Sequence, residues 1–482
     1  MGEVVIADQV TLPCSASDAF ELIAAGGLPP WRLPVGRKLQ VGIPVSVPIT
    51  LPPGLGGQQV EILGRVASMN RPNQVVISHE LPWRGTITAK VVPTGVDRCS
   101  IRLIGRVAED LVSWATRFVV PTAPPANPDK TWRIGLLSSA SGPASVFSLA
   151  TQNMATMAVE EINFDGGVLG RQVELVTGDD GTHPGLGAAE LVRLAKAGCG
   201  VVLANVTSAT FRALLPVARR YGVLLLHTLM NEGGARSDEV FRLGERPMAQ
   251  ASAAIPALMR ATGGSRFYLA GSDYCWPRVM MGAARQVVER SGGSVGSELY
   301  LPMGTTDFSR VISDIDRNHA DLVVSTFVGA DEVAFEQQMH AAGLGERVQT
   351  VSFVLDESTH EYIGPEASAG LWTVFSYFEA LPSAENRMFL ARYRARFGTD
   401  APPASSLSEC VYEAVHLVAR AIAGCRDLAP LAIVRQLRDG VEFNGPRGRV
   451  DASWRGVRQA MYVAHSQRGQ LSAVEKVVTH TI

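Results

Sequence analysis

From residue 131 onward, short apolar runs of strand length alternate with longer stretches of helical periodicity, and the pattern runs twice. The first pass contains Arg133–Leu137, Val173–Thr177, Gly200–Ala204 and Val223–Leu226 as strands. Between them Ser145–Phe164, Leu186–Ala197 and Ser208–Tyr221 repeat apolar residues in steps of three and four, which predicts helices. The second pass has Phe267–Ala270, Leu299–Leu301, Leu322–Ser325, Thr350–Phe353 and Leu371–Phe375, again with helical segments between. Strand–helix alternation of this kind predicts parallel sheets covered by helices on both faces. Two passes predict two α/β lobes, about 131–250 and 251–375, with the remaining chain crossing back. Ligands bind such sheets at the carboxyl ends of the strands. Two lobes on few connections can close by hinging.

The preceding 120 residues differ. A break at Pro121–Lys130 holds four prolines in ten residues, which predicts a stiff, solvated linker. Before it, Val4–Leu12, Lys38–Thr50, Gln58–Met69, Gln74–Glu80, Gly85–Val92 and Ser100–Val107 are rich in Val, Ile and Thr. Gly, Pro and Asn punctuate them, as expected for antiparallel strands. Ala16–Ala24 is amphipathic, with Ser15 placed as its N-cap, and Ala108–Val119 has helical spacing. Helix, strand run and closing helix resemble, in element order, the helix-grip fold of the START-like, polyketide-cyclase-like superfamily. The expected fold class is therefore a two-lobed α/β unit over 131–482, preceded by a small α+β helix-grip domain over 1–120.

The chain of 482 residues is 46% hydrophobic and 19% charged, with a net charge of -2. That balance suits a globular chain with ample core. It offers no basic field for nucleic acid. No apolar stretch of about 18 residues appears, so no membrane insertion is expected. The amino terminus lacks the basic and apolar regions of a secretory signal, and the expected location is the cytoplasm. Six cysteines stand at 14, 99, 199, 275, 410 and 425. They form no CxxC pair and no zinc spacing with His. Most are expected as reduced thiols. A Cys410–Cys425 bridge is the one pairing weighed, and a reducing compartment argues against it.

Four segments occur in order: Ile134–Pro143 (IGLLSSASGP), Ala158–Arg171 with AVEEIN and GGVLGR, Gly271–Arg278 (GSDYCWPR) and Asp321–Gly329 (DLVVSTFVG). Together they resemble the type I periplasmic binding proteins of the leucine/isoleucine/valine-binding branch. Within that branch the set is most similar to receptors for short-chain amides and urea. The resemblance spans residues 131–470 and implies a non-catalytic receptor for a small polar metabolite: an amide, a urea derivative or an amino acid. It implies either a sensor or an ABC-transporter-like substrate-binding role.

Candidate ligand residues follow from position and from the resemblance. Ser139 and Ser141 lie where a strand feeds a helix N-terminus, which suits a carboxylate or carbonyl; ordinary capping is the competing role. Thr207 and Ser208 open the helix after Gly200–Ala204, and the resemblance assigns ligand hydrogen bonding to the Ser208 position. N-capping alone would also explain them. At the next strand end the amide receptors tend to carry an aromatic residue and a Thr, where this chain has His227 and Leu229. Tyr274 and Trp276 flank Cys275; in an extended stretch both rings would face the cleft as aromatic walls. Asp331, with Glu332, follows a second-lobe strand and could hold an ammonium; the helix dipole alone favours acids there. Asp356, Glu357, Tyr377 and Phe378 follow two further strands.

No nucleophile elbow, phosphate loop, dinucleotide fingerprint or metalloprotease motif appears. Asp179, Asp180 and His183 cluster in sequence but fall in a loop after a strand. No metal or cofactor is expected. The amino-terminal domain could serve as an output or partner-docking module, and a homodimer is compatible with this reading. One alternative makes residues 1–120 an enzyme or apolar-ligand pocket regulated by the receptor. Another is a scaffold with a degenerate cleft.

Overall fold

The computed structural model describes residues 3–25, 39–50, 59–81, 85–108 and 123–477, the last span without 236, 346, 400, 455, 468 and 469. It divides into two compact units, Met1–Pro121 and Thr122–Ile482.

The first unit is a six-stranded antiparallel sheet. Its strands are β1 (Glu3–Leu12), β2 (Pro44–Thr50), β3 (Gln59–Asn70), β4 (Gln74–Leu81), β5 (Gly85–Gly95) and β6 (Arg98–Ala108). Their spatial order is β1-β6-β5-β4-β3-β2. Alternate residues turn inward, as the pleat requires: Val45 and Val47, Val75 and Ile77, Ala89 and Val91, Cys99 and Ile101 are buried. The helix Ala16–Ala24 starts where the Ser15 hydroxyl accepts from the Asp18 amide at 3.1 Å. It buries Phe20 and Ile23 in the same core, each contributing about 1.5–3 kcal/mol. Among the described residues of this unit the buried polar side chains are His79 and Ser100. The expected closing helix, Ala108–Val119, lies outside the described residues beyond Ala108.

The described part of the proline-rich segment is mostly exposed and is also tied to the second unit. Arg133 donates to the Ala123 carbonyl at 2.9 Å and Arg171 to the Pro128 carbonyl at 2.7 Å. Residues 123–130 therefore lie along the second unit. The guanidinium donors that hold them come from positions no local pattern could flag.

The second unit holds both expected lobes. In the first, β7 (Thr131–Ser138), β8 (Gln172–Asp179), β9 (Val201–Asn205), β10 (Leu224–His227) and β11 (Val240–Arg242) form a parallel sheet in the order β11-β10-β9-β7-β8. In the second lobe, β12 (Arg266–Ser272), β13 (Ser294–Leu301), β14 (Leu322–Thr326), β15 (Gln349–Ser352) and β16 (Trp372–Phe375) repeat that order. Next come a three-stranded antiparallel sheet, β17 (Val441–Gly445), β18 (Gly448–Ser453) and β19 (Gly456–Arg458), and two strands that extend the second-lobe sheet antiparallel, β20 (Met461–Gln467) and β21 (Gln470–Val477). The helices Ala384–Phe397, Ser406–Cys425 and Pro430–Asp439 pack on first-lobe elements. Cys410 and Cys425 sit on one helix about 22 Å apart at 1.5 Å per residue, which excludes a bridge.

The chain thus passes between lobes three times: after β11, after β16 and after β19. The first passage precedes the helix Pro247–Thr262, slightly earlier than the sequence suggested. A buried polar network joins all three. Glu245, on the first passage, accepts from the Ser376 amide at 3.0 Å, the Ser376 hydroxyl at 2.5 Å and the Ser406 hydroxyl at 2.7 Å. Ser376 begins the second passage. Arg447 donates to Ser376 Oγ and, at 2.7 Å, to Gln459 on the third passage. Its Nε and Nη2 donate to the two carboxylate oxygens of Glu413. The side chains of Arg447 and Glu413 are 3% and 0% exposed. Such a pair is costly to break, because one partner leaves the other as a bare buried charge. Arg447→Met is expected to destabilise the unit by about 3–5 kcal/mol, read as a lower denaturant midpoint; an unchanged midpoint would mean that the network does not bear on the hinge.

Candidate functional site

The carboxyl ends of both parallel sheets carry the loops that meet between the lobes. The Ala330 amide, opening a second-lobe helix, donates to the Pro143 carbonyl of the first lobe at 3.2 Å. Gly329 adopts φ +57° there, and a Cβ on it would stand 2.3 Å from the Pro143 oxygen. Only a glycine lets the two loops touch so closely. On another side, Cys275 of the second lobe lies beside Glu232 of the first.

On the first lobe, Thr207 caps the helix Ser208–Tyr221 by accepting from the Thr210 amide at 3.3 Å. The next residue, Ser208, is 4% exposed, and its hydroxyl has no partner among the described residues. A buried, unused hydroxyl on the first turn of a helix, beside free amides, is an acceptor-binding arrangement. His227 ends β10 and stacks on Phe211, with ring centroids 3.9 Å apart. Its Nε2 lies 3.3 Å from the Val206 carbonyl, which can only accept, so Nε2 carries the proton. Nδ1 is then a lone-pair acceptor, without a partner among the described residues. Burial holds the imidazole neutral, its pKa lowered to about 3, and nearby Arg242 and Arg246 push the same way.

The other first-lobe expectations resolve into structure. Ser139 is the exception: it is buried beside Asp180, and its hydroxyl, like that of Ser208, has no hydrogen-bond partner among the described residues. Ser141 donates to Asp179 at 2.7 Å. Asp179 also takes the Ala140 and Gly181 amides, at 2.9 and 2.8 Å. His183 caps the helix Pro184–Lys196 through Nδ1. The Asp179–His183 cluster is therefore a braced loop, and no metal-binding group of three such side chains occurs among the described residues. Leu229 is half-buried against the core.

On the second lobe, Tyr274 is the extended residue before the helix Cys275–Arg290, and burial pushes its phenol pKa up. The extended stretch that would have aligned Trp276 with it ends there. Trp276 instead lies in the helix, in the core, 1% exposed. Asp331 accepts from the Gly304 amide at 2.8 Å, and burial raises its pKa to about 6. Glu332 takes the Ser325 hydroxyl. Asp356 caps its own helix through the Thr359 amide at 2.8 Å. Tyr377 is fully buried and donates to Asn386 at 2.8 Å. Thr207, Ser208, His227, Tyr274 and Ser139 thus remain at the strand ends, whereas Ser141, Asp331 and Tyr377 are hydrogen bonded within their own lobes and Trp276 is packed in the core, its indole N–H without a partner among the described residues.

The sequence reading passed over Phe211, Glu232, Arg242 and Arg246. The strand β11 that carries Arg242 is three residues long, too short for a period to register. The spacing of Arg242 and Arg246 around Gly244 and Glu245 was the available signal.

Residues 131–470 match the family model described as periplasmic binding protein. The chain belongs to that family. Its fold places it in the type I class, in the leucine/isoleucine/valine-binding branch. A Leu/Ile/Val-binding protein of Rhizobium johnstonii is 24% identical over 334 residues, covering 68% of this chain and 88% of that protein. An ABC-transporter solute-binding protein of R. palustris, solved with 4-hydroxybenzoate, has a TM-score of 0.64 at 21% identity, covering 72% of this chain and 97% of its own. The branched-chain amino acid receptor LivJ of Streptococcus pneumoniae, solved with isoleucine, has a TM-score of 0.64 at 20% identity, covering 73% and 99%. Family membership makes this chain a binding protein and not an enzyme.

Two outcomes follow from the geometry. Gly329→Ala would strain the backbone and push on Pro143, so small-angle scattering is expected to show a larger radius of gyration as the lobes part. An unchanged profile would mean that this contact does not limit closure. The folded His227 pKa lies below its ordinary 6.5, so its contribution to stability is full above pH 6.5 and is lost as pH falls toward 3. The loss is about 1.4 kcal/mol per pH unit. Unfolding midpoints of His227→Gln should have a correspondingly flatter acid limb, and an identical limb would contradict the buried neutral imidazole.

Proposed function

We propose that the second unit is a solute receptor of the ABC-transporter type whose lobes close over one small polar metabolite. The solute bears a carboxylate or amide group, as in an organic acid, an amino acid, an amide or a urea derivative. The observation that carries this reading is Ser208: a buried hydroxyl with no described partner, on the first turn of a helix, at a strand end facing the other lobe. The hydroxyl and free helix amides offer donors to a carboxylate or carbonyl oxygen. Relatives solved with 4-hydroxybenzoate and with isoleucine support a solute of that size. Binding would shift an open–closed equilibrium, since closure completes the site from both lobes.

The test is a thermal-shift screen of amides, urea derivatives, amino acids and organic acids, followed by calorimetric titration. A binder at 100 times its Kd adds about 2.7 kcal/mol to stability, visible as a rise of several degrees. Ser208→Ala is expected to weaken that binder about tenfold or more, because a hydrogen bond to a charged group contributes about 1.5–3 kcal/mol. Silence across the whole screen would favour a scaffold with a degenerate cleft.

A further inference from the structure

The joint between the lobes holds more carboxyl groups than its guanidinium can pair. Glu245, Glu409 and Glu413 all lie near Arg447, and all three are at most 3% exposed. Glu245 is satisfied by the Ser376 amide and the Ser376 and Ser406 hydroxyls. Glu413 takes Nε and Nη2 of Arg447. Glu409 differs. It stands one turn before Glu413 on the helix Ser406–Cys425, is 0% exposed, and neither of its carboxyl oxygens has a hydrogen-bond partner among the described residues. The Arg447 Nε is 3.9 Å from it and already donates to Glu413 at 3.0 Å.

The groups that face Glu409 do not balance it. They are Glu413 and Cys410 on its own helix, Arg447 in the turn between β17 and β18, Glu245 on the first passage and Tyr377 on the second. Arg447 apart, these are acids, strong or weak, and Tyr377 donates its hydroxyl hydrogen to Asn386. Charged groups on other elements packed against the helix are committed elsewhere: Glu161 to Tyr412 and His416, Glu442 to Arg449, and Arg438 to Asp238. With all three carboxyls ionised, two negative charges would stand uncompensated in the interior. A buried acid without a partner gives up its charge instead. Burial, and next the Glu413 charge, push the Glu409 pKa well above the usual carboxylate range, and Arg447 opposes them.

We propose that Glu409 is carried as the neutral acid and makes the joint proton-sensitive: the passages are held together while Glu409 keeps its proton and loosen when it ionises. Opening of the joint lets water reach the carboxyl, and its pKa returns to the ordinary 4.5. Above that pH, opening therefore releases a proton. The folded pKa is raised, so the contribution to stability is full below pH 4.5 and is lost as pH rises toward the folded value. The sign is opposite to that of His227, whose contribution is lost on the acid side. The device is independent of which solute the cleft takes.

The experiment compares the full chain with Glu409→Gln, which keeps the shape of the acid and cannot ionise. At neutral pH the infrared difference spectrum between the two is expected to contain the carbonyl band of a protonated carboxylic acid. Amide hydrogen exchange is then followed by mass spectrometry on peptides spanning Glu245, Ser376 and Gln459. Chain and variant are compared at the same pH, so intrinsic rates cancel. The exchange rate of the unaltered chain relative to the variant is expected to rise about tenfold per pH unit above the ordinary pKa, until Glu409 ionises in the folded protein. Glu409→Met, of similar length and without charge, gives the same two readings should the Gln variant fail to fold. Carboxylate bands in the difference spectrum would mean that Glu409 is held ionised, and overturn the proposal. A rate ratio that stays constant with pH overturns it as well.

Discussion

Closure of two lobes requires a joint that is defined yet movable, and here the joint is a buried ion pair with its satellites. Arg447 faces Glu413 inside the protein and reaches Ser376 on the second passage and Gln459 on the third, while Ser376 hands on to Glu245 on the first. Hydrogen bonds in a low-dielectric interior are directional and costly to leave unmade. The three passages are therefore held as one bundle, and the lobes must move about it together. Apolar packing alone would tie them without fixing direction. Each lobe is a rigid sheet with helices on both faces, so the freedom that remains lies in the angle between them.

That arrangement explains how the site is divided. The first lobe carries, at the ends of β9 and β10, the unpartnered Ser208 hydroxyl and the neutral His227 ring. The second lobe supplies the closing surface through Tyr274, Cys275 and the Gly329–Ala330 turn. Near the second-lobe strand ends Asp331 and Asp356 brace a turn and cap a helix, while Glu332, Asp356 and Glu357 each keep one buried oxygen without a partner among the described residues.

Much of the fold was legible because periodicity is a physical consequence of burial. Strand runs such as Leu322–Ser325 and helices such as Ser208–Tyr221 fell within a residue or two of their positions, since each buries a continuous run or one face. The six antiparallel strands of the first unit were legible for the same reason. Less of the site could be read. Position placed Ser208 and His227 at the sheet's edge, where a residue at or after the end of a parallel strand must sit. Orientation was not readable: Asp331, Tyr377 and Ser141 stand at the right edge but turn toward partners 27, 9 and 38 residues away in sequence. Trp276 was misjudged because the helix starts at Cys275, one residue before it.

Native mass spectrometry of the full chain, purified without added solute and then unfolded to release what it carries, tests the central claim most directly. A receptor with this cleft is expected to retain a single small organic molecule at one per chain, absent after unfolding and restored when the released molecule is returned. A chain that carries nothing, and gains no mass when offered millimolar polar metabolites, would contradict the account.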